Sequence, residues 1–309
     1  MDGNNKKYNR FSDYLKKKFG KKVIKVSLNA GFTCPNIDGT KAYGGCIYCS
    51  EKGSGDFAGL PSNDILTQFE NVKTRMHKKW KNGLYLPYFQ AYSNTYAPLD
   101  VLKEKYEAVL YQDDVIGIDI ATRPDCLEDD LVDYLAELSK EKEVWIELGL
   151  QSIYDKTAKI INRGHDYKEF LIGLKKLRDK NINVCVHIIN GLPYETKEMM
   201  LNTVKELNKL DIQSIKIHLL HVLKDTTLAN MYKKGKFEVM ERDEYVNIVC
   251  DQLELLRKDI LVQRVTGDGG RDELIAPLWS IKKFELLNEI DYEFIRRKSE
   301  QGSCYNDNK

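Results

Sequence analysis

The sequence contains no uninterrupted apolar stretch of the roughly 18 residues that a membrane-spanning helix needs. Its first residues, MDGNNKKYNRF, carry charge but lead into no apolar segment, so no secretory signal is predicted. These two absences argue against a membrane-anchored protein and predict a cytoplasmic one with no membrane partner. With 309 residues and 42% hydrophobic content, the chain can bury the core of one large α/β domain.

A disulfide framework is also missing. The seven cysteines are an odd number, and a reducing compartment does not favour disulfide pairing. Three of them crowd between positions 34 and 49, whereas Cys126, Cys185, Cys250 and Cys304 stand far apart. We interpret Cys126, Cys185 and Cys250 as buried or incidental residues. The clustered cysteines predict metal binding or redox chemistry.

Charge of one sign does not dominate the chain as a whole, because the formal net charge is +1. The charge is distributed unevenly, however, with +7 on residues 1–25 and −6 on the remainder. We define residues 1–22 as the basic N-terminal arm. Its lysines are typical either of the solvated face of a short helix or of a contact with an anionic partner such as RNA, and charge alone leaves both interpretations open.

Apolar segments alternate with helical patterns over residues 23–258. β-Branched and apolar runs predict six strands, at 23–28, 84–92, 115–122, 144–150, 182–190 and 212–220, with helices between and after them. Asn63 and Pro98 are placed at the starts of helices over 63–80 and 98–111. Nearly continuous apolar strands of this kind indicate a parallel sheet in an α/β fold, either a barrel or an open doubly wound sheet.

The last part of the chain is predicted to be a C-terminal extension, residues 259–300, packed on this domain. It combines a strand at 260–266, a glycine loop at 267–273 and a helix at about 280–298. The tail, residues 301–309, is predicted to be disordered. In either architecture, ligand sites lie where the strands end, and polar loops follow the six strands at 29–48, 90–95, 122–125, 151–152, 190–193 and 221–226.

The strongest chemical signal is the loop that carries Cys34, Cys46 and Cys49, which are separated by eleven and two residues. Thiolates are soft ligands that suit iron–sulfur clusters or zinc. Structural zinc needs four ligands, and the nearest histidine is His77, whereas a cubane cluster on three thiolates keeps one iron open. A thioredoxin-like motif would begin a helix, which SEKGSG after Cys49 disfavours. We therefore predict a [4Fe-4S] cluster on the three cysteines.

Nine segments of the chain resemble the radical S-adenosylmethionine (SAM) superfamily, and within it the YhcC/YtqA-like family, which is related to the elongator catalytic subunit. They are GFTCPNIDGT, GGCIYC, SGDFAG, YFQAYSNTYAP, IATRPDCL, ELGLQS, NRGH, HIINGLP and TGDGGRDELIAPLW. The resemblance covers nearly the whole chain. It implies a partial (β/α)6 TIM-like barrel at 23–258, a [4Fe-4S] cluster and bound SAM, whose reductive cleavage gives a 5′-deoxyadenosyl radical that abstracts a substrate hydrogen.

The resemblance also implies roles for single residues. Tyr48, before the last cysteine, is expected near the adenine, and Gln151 and Arg163 match residues that hold SAM in the similar oxygen-independent coproporphyrinogen oxidases. The loop at 90–95 stands where the family carries a Gly-Gly-Glu-like motif, but it has no acidic residue. Strand-six backbone around Leu220–Leu223 is expected beside the adenine. Cofactor contacts are expected from Tyr48, Gln90, Ser93, Thr122, Glu147, Gln151, Ser152, Arg163 and His187, and catalytic roles from the three cysteines with Tyr92 and Asn94.

Several of these residues have a structural alternative. Glu147 and Gln151 are also typical of polar groups at sheet ends, and Arg163 of half a surface ion pair. His187 stands where those oxidases have an aspartate, a departure that weakens the expected ribose contact. A lone histidine on an apolar strand is more often a core residue, and His165, His218 and His221 rank no higher.

The family resemblance points to tRNA, with the radical acting on the 5-substituent of a wobble uridine, for example in maturing a carboxymethylaminomethyl group towards aminomethyl. The base would have to be extruded into the barrel mouth, with Tyr85, Tyr88, Phe89, Tyr92 and Tyr96 available for stacking. A reduced flavodoxin- or ferredoxin-type electron donor and a methyltransferase of the same pathway are the implied partners. Two alternatives stay open: a radical SAM enzyme acting on a small molecule, tetrapyrrole or peptide, and a non-catalytic metal-binding scaffold.

Overall fold

A curled parallel sheet organises the molecule, whose computed structural model describes residues 7–51, 53, 58–59, 64–267, 270 and 272–306. Its strands are β1 (Val23–Leu28), β2 (Leu84–Phe89), β3 (Gly117–Thr122), β4 (Glu143–Gln151), β5 (Asn183–Asn190), β6 (Ser214–Leu219) and β8 (Leu261–Arg264). All pair in parallel, in the order β1-β2-β3-β4-β5-β6-β8. Because each strand lies beside the next one in the chain, the sheet is a partial barrel and not a doubly wound sheet.

Helices cover the outer face of this sheet. They are α2 (Ile65–His77), α3 (Leu99–Leu110), α4 (Asp129–Leu138), α5 (Asp155–Ile160), α6 (Tyr167–Asp179), α7 (Lys197–Leu207), α8 (Thr227–Lys233) and α9 (Arg242–Leu255). Buried side chains such as Phe69, Tyr106, Phe170 and Val204 join the outward-facing residues of the strands in one core. The six predicted strands and the intervening helices are confirmed, most with bounds one to three residues shorter.

The gap between the first and last strands is filled by the chain before β1. Asn9 accepts a hydrogen bond from the Val262 backbone of β8 at 2.7 Å, and helix α1 (Phe11–Phe19) follows directly. Across the same gap, Lys25 Nζ of β1 donates to Gln263 Oε1 at 2.9 Å. The described part of the basic N-terminal arm is therefore built into the barrel.

The C-terminal extension adds the seventh strand and a cover of its own. After the short strand β7 (Val222–Leu223), strand β9 (Leu274–Ala276) returns to pair with it antiparallel. A 3-10 helix (Leu278–Ile281) leads to α10 (Lys283–Arg297), which packs on α9 through buried residues that include Ile290 and Phe294. No helix in the described part of the chain is both long and apolar enough to cross a membrane.

Two local predictions differ from the structure. Residues 301–306, expected to be disordered, are ordered and packed, because the Gln301 side chain donates to the carbonyls of Arg257 at 2.7 Å and Ile260 at 2.8 Å and accepts from Asn9. Helix α2 begins after Asp64, whose carboxylate caps the Thr67 amide at 2.9 Å. Asn63, the cap predicted from sequence, lies outside the described residues.

Candidate functional site

Apolar side chains fill the end of the barrel at which the strands begin. Phe11 and Leu15 of α1 pack there against Leu86, Trp145 and Leu261. Phe11 meets Trp145 edge to face, with ring centroids 4.9 Å apart. Helix α1 thus plugs this end, which lies opposite the loops that follow the strands.

Charged side chains from four strands meet above the plug. Lys25 forms ion pairs with Asp119 and with Glu147, the second at 2.6 Å, and Lys216 approaches the other oxygen of Glu147 at 2.5 Å. Burial opposes ionisation of Glu147, but the charges of Lys216 and Lys25 hold its pKa well below the usual range. Burial raises the pKa of Asp119 to about 7 and lowers that of Lys216 to about 8. The barrel interior therefore holds a buried ionic layer with Glu147 at its centre.

Two further side chains complete this layer. His187 Nε2 lies 2.8 Å from Glu147 Oε2, and burial lowers its pKa to about 4, so the neutral imidazole donates to the carboxylate. The ring of Tyr88 lies between two ammonium groups, with Lys25 Nζ 4.2 Å and Lys216 Nζ 4.4 Å from its centroid. Glu147 and His187, expected to contact SAM, are thus engaged with each other.

A cavity opens above the ionic layer, at the C-terminal ends of the strands. Cys34, Cys46 and Cys49 all border it. Contact with Cys49 outweighs burial and lowers the pKa of Cys46 to about 7, and Asn36 Nδ2 donates to Cys46 Sγ at 3.7 Å. Three thiols around one cavity, away from the plugged end of the barrel, fit a thiolate-ligated metal cluster with an open coordination position.

The cysteine loop is fastened to the turn after α5, in the segment NRGH. Asn36 Nδ2 donates to the Asn162 carbonyl at 2.5 Å, and Asn162 Nδ2 donates to the Gly45 carbonyl at 2.7 Å. Gly164 has φ +78°, and a Cβ there would lie 2.2 Å from Asn36 Oδ1. A glycine is therefore required at position 164, both for its backbone conformation and for the close approach of the loop.

Arg163 lies inside this turn with its guanidinium buried. Its Nε donates to the His165 carbonyl at 2.9 Å, and its Nη1 donates to the carbonyls of Ser152, at 2.6 Å, and Leu150. Its Nη2 borders no acceptor in the described part of the protein, and the residue lines the cavity. Arg123 donates to the Arg163 carbonyl at 2.7 Å and holds it from behind. The surface ion-pair interpretation of Arg163 is wrong, and one nitrogen remains for a ligand.

The loop after β2 sends three predicted residues to the cavity, Gln90, Tyr92 and Ser93, and one elsewhere. Tyr92, at φ +60°, and Ser93 border the cavity, and the buried Ser93 Oγ has no hydrogen-bond partner among the described residues. Asn94 lies outside the cavity wall and is fully buried, with Nδ2 donating to the Ala121 carbonyl at 2.9 Å. Asn94 therefore ties the loop to β3 and does not line the cavity.

The other residues predicted to contact the cofactor also include some that line the cavity and one that does not. Tyr48, Gln90, Thr122 and Gln151 line the cavity together with the cysteines. Thr122 also lies 2.5 Å from the Thr95 hydroxyl, which ties it to the β2 loop. Ser152 points away from the cavity, towards the carboxylate of Glu195. The structure therefore brings together most of the predicted set, with Asn94 and Ser152 in supporting positions.

The proposed stacking aromatics are only partly correct. Tyr85 and Phe89 belong to the apolar core, at 1% and 0% exposure, so neither can stack on a substrate. Tyr88 faces inward on the same strand, where its ring meets the two lysines. Of these residues, Tyr88 and Tyr92 border the cavity, and Tyr96 instead bonds the Thr40 hydroxyl at 2.9 Å.

Sequence reasoning missed several residues of the inner wall. Arg123, His218, His221 and Arg264 all line the cavity. One signal was present in IQSIKIHLL, where Lys216 and His218 alternate with isoleucines and thus face the barrel interior together. Arg264 comes from the C-terminal extension, and its register opposite Lys216 follows a β-bulge, which no local pattern predicts.

The chain is similar to several known proteins. The family described as Radical SAM superfamily matches residues 40–207, and its C-terminal domain matches residues 212–296. The chain is 53% identical to YtqA of Bacillus subtilis over 97% of this chain and 93% of that protein, and 33% identical to YhcC of Escherichia coli K12 over 96% and 94%.

More distant matches extend beyond that family. A tRNA uridine(34) acetyltransferase of Methanocaldococcus infernus is 25% identical over 61% of this chain and 35% of its own length. The solved structure of archaeal Elp3 from M. infernus, lacking its N-terminus, aligns with TM-score 0.65 at 19% identity, over 89% of this chain and 63% of that one. The similarity to the Elp3 structure shows a shared fold.

Proposed function

We propose that this chain, which belongs to the radical SAM superfamily and to its YhcC/YtqA-like family, modifies the 5-substituent of a wobble uridine in tRNA. As a superfamily member it holds a [4Fe-4S] cluster and SAM. Bound together, these cofactors supply a 5′-deoxyadenosyl radical able to abstract a hydrogen atom from a substrate.

Cys34, Cys46 and Cys49 are the proposed cluster ligands. They border one cavity, and Asn36 and the NRGH turn hold their loop in place. The isolated cysteines do not share this position: Cys126, Cys185 and Cys250 are buried elsewhere, and Cys304 is exposed. The protein's contribution here is to fix three thiolates and to leave space beside them for the methionine part of SAM.

Two buried donors are the proposed partners of that methionine part. Arg163 Nη2 and Ser93 Oγ both belong to the cavity wall and lack partners in the part of the chain that the structure describes. A guanidinium nitrogen and a hydroxyl suit the carboxylate and amino groups of an amino acid. Tyr48, Gln90, Thr122 and Gln151 surround the same space, and Glu147 and His187 form its floor. Asn94 and Ser152 are positioning residues.

The observation that carries the tRNA proposal is the match to the tRNA uridine(34) acetyltransferase, which spans 192 residues. The cavity lies where the strands end, so a nucleotide turned out of the anticodon loop would enter it from outside. The acetyltransferase is about three times the length of the matched part, so its own activity is not carried over. A reduced flavodoxin- or ferredoxin-type donor and a methyltransferase acting later on the same base are the partners that this function would need.

Mass spectrometry of tRNA nucleosides tests the proposal. Cells lacking the protein should accumulate a wobble uridine with an unprocessed 5-substituent, and expression of the parent chain should remove it. Expression of the Cys46→Ala variant should not, while Cys304→Ala should act like the parent. An unchanged nucleoside profile in the deletion strain would exclude the tRNA function.

A further inference from the structure

A tight turn at the end of α8 carries three exposed lysines, Lys233, Lys234 and Lys236. The Gly235 amide donates to the Tyr232 carbonyl at 2.9 Å, and the Lys236 amide donates to the Met231 carbonyl at 3.1 Å. With Gly235 at φ +64°, these bonds form the Schellman motif that ends many helices. The lysines therefore project from a backbone of fixed shape, and we call residues 233–236 the α8 turn.

The cysteine loop and the loop after β5 hold the α8 turn in place. The Leu228 amide of α8 donates to the Ile47 carbonyl of the cysteine loop at 2.8 Å. On the other side of the turn, Phe237 packs with Ile47 and Leu192 in one apolar cluster. Tyr232 and Phe237, whose ring centroids are 5.9 Å apart, bracket the turn. The three lysines thus lie beside the cysteine loop, at the cavity end of the barrel.

The fold makes little use of the positive charge on the α8 turn. None of the three lysines forms an ion pair with another residue in the part of the chain that the structure describes. A lysine in the last turn of a helix stabilises it through the helix dipole, but only Lys233 lies there. Residues 26–309 carry a net charge of −6, so this cluster stands out from its surroundings. The turn suits a partner with closely spaced negative charges.

An exposed aromatic ring lies near the same turn. Tyr194, in the loop after β5, is 59% exposed and has φ +67°, a left-handed conformation that is costly for an aromatic residue. Leu192, two residues earlier, belongs to the same apolar cluster as Phe237, which brings Tyr194 towards the lysines. An exposed ring beside lysines is typical of surfaces on which unpaired bases stack.

We propose that the α8 turn and Tyr194 bind the phosphates and one unpaired base of an RNA loop whose target nucleotide enters the cavity. The lysines neutralise phosphates, and the tyrosine stacks on a base beside the target. An acidic protein fits less well, because protein interfaces need a buried apolar centre and the turn consists of lysine and glycine. Identifying the RNA as a tRNA anticodon loop rests on the proposed function, whereas RNA binding at this surface does not.

Filter binding of an anticodon stem-loop at several salt concentrations tests the proposal. Changing Lys233, Lys234 and Lys236 together to Glu should weaken binding at low salt by about tenfold or more. The slope of log affinity against log salt should become smaller by roughly 0.7–0.9 for each lost contact. Cluster content and dithionite-driven SAM cleavage should stay at parent levels, which shows that the variant is folded.

The other end of the barrel offers a matched control. Lys78, Lys79 and Lys81 have the same spacing and are also exposed, but they follow α2 and precede the start of β2. Changing these three to Glu alters the net charge equally and should leave the affinity and the slope as in the parent. Equal losses in the two triple variants would show a general effect of net charge and refute the surface.

Substitution of Tyr194 tests the stacking contact separately. Tyr194→Gly suits the left-handed backbone, so the protein should fold well while its affinity for the stem-loop falls by about fivefold or more. The salt slope should not change, because no phosphate contact is lost. Tyr111, 61% exposed at the end of α3, is the control, and Tyr111→Ala should bind RNA like the parent. Parent-like affinity in Tyr194→Gly would refute the stacking contact.

Further outcomes separate this surface from the proposed function. An unchanged tRNA profile in the deletion strain, together with lysine-dependent RNA binding, would refute the wobble modification and support the surface. A changed profile, with parent-like RNA binding by the α8-turn variant, would support the function and refute the surface. Stopped-flow reduction of the cluster by reduced flavodoxin, if slowed in that variant while RNA binding is unaltered, would assign the turn to an acidic protein and refute the proposal.

Discussion

Arg163 serves both the fold and the cavity. Its Nε and Nη1 donate to three backbone carbonyls, at the end of β4, just after β4 and in the turn after α5, and its Nη2 has no partner among the described residues. Buried guanidinium groups cost free energy unless their donors are satisfied, so the free nitrogen indicates an acceptor supplied by a ligand. The same side chain therefore links folding of the cysteine loop to cofactor binding.

Substitution of Arg163 separates the two roles. Arg163→Lys keeps the charge but loses the planar guanidinium and its several N–H donors. We expect SAM affinity to fall by about tenfold or more, which is the effect of losing one charge-assisted hydrogen bond. Calorimetric titration of SAM into reconstituted protein measures the change. Arg178→Lys, on the outer surface, is the control. Parent-like SAM affinity in Arg163→Lys would assign Nη2 to a structural role only.

The three cysteines should behave alike in metal analysis. Cys34→Ala, Cys46→Ala and Cys49→Ala should each lose the cluster, since all three thiols border the same cavity. Anaerobic reconstitution should give about four irons per parent chain and the broad visible absorbance of a thiolate-ligated cubane cluster. The exposed Cys304 provides the control, and Cys304→Ala should reconstitute normally. Stoichiometric zinc without sulfide in the parent would refute the cluster assignment.

Asp119 should make stability depend on pH in a direction unusual for a carboxylate. Burial raises its pKa to about 7, above the ~3.9 of an unfolded aspartate. Between these values the native state binds more protons, so the stability from Asp119 is present in acid and is lost as the pH rises through 7. The stability of the parent relative to Asp119→Asn should therefore fall by at most about 1.4 kcal/mol per pH unit over this window.

Urea unfolding of parent and Asp119→Asn at several pH values, both without the cluster, measures this difference. His187 titrates in the opposite sense, because its lowered pKa of about 4 makes stability rise as the pH passes from 4 towards ~6.5. That contribution occurs in both proteins and largely cancels in the comparison. A parent-minus-variant stability that stays flat, or rises with pH, would show that Asp119 is ionised throughout.

The parts of the site that could be predicted are those whose residues lie close together in the sequence. The cysteine spacing and the NRGH segment each lie in a short stretch of sequence, and the structure places the two segments in contact. Glu147 was placed among the cofactor contacts, but its partners Lys25 and Lys216 come from positions 122 residues before and 69 residues after it. These ion pairs form because the curled sheet brings distant strands together, so the sequence of neither strand alone indicates them.

At the scale of elements, strands were recognised well because they are buried on both faces. Every residue of β3 is buried, and Asp119 is the only charged residue in its sequence, GIDIAT. Helix α1 was the harder element, since its lysines dominate the pattern and its buried face is only Phe11 and Leu15. What fixes α1 is contact with Trp145 and Leu261, which no pattern within the helix contains.

Removing the Phe11 ring should weaken the packing of α1 against the barrel and lower the stability of the protein. Phe11→Ala removes a nearly buried ring that packs on Trp145, and Phe→Ala changes in cores cost about 3–5 kcal/mol. We expect a loss near the lower end of this range, because Phe11 keeps 7% exposure at the barrel end. Thermal unfolding, compared with the exposed Lys17→Ala, measures the effect. A change below about 1 kcal/mol would mean that α1 docks without this contact.

At the scale of the whole molecule, the barrel has two unlike ends. Helix α1 and its lysines close the end at which strands begin, and Lys18 donates there to Glu143, the first residue of β4, at 2.6 Å. The cysteines and the cavity lie at the other end. A tRNA presenting one base to the cavity would therefore approach the face opposite the exposed lysines of the arm, which favours the solvated-face interpretation of their charge.

Charge reversal in the arm tests this geometry. Changing Lys16, Lys17, Lys21 and Lys22 together to Glu, with Lys18 kept because it pairs with Glu143, should leave tRNA binding and modification at parent levels. Filter binding at several salt concentrations gives the slope of log affinity against log salt, which should be the same for both proteins. A slope smaller by roughly 0.9 per lost contact, equal for all tRNAs, would instead show that the arm holds phosphates. In that case the RNA would have to wrap around the barrel from α1 to the cavity, and truncated anticodon stem-loops, too short to do so, would bind parent and variant equally.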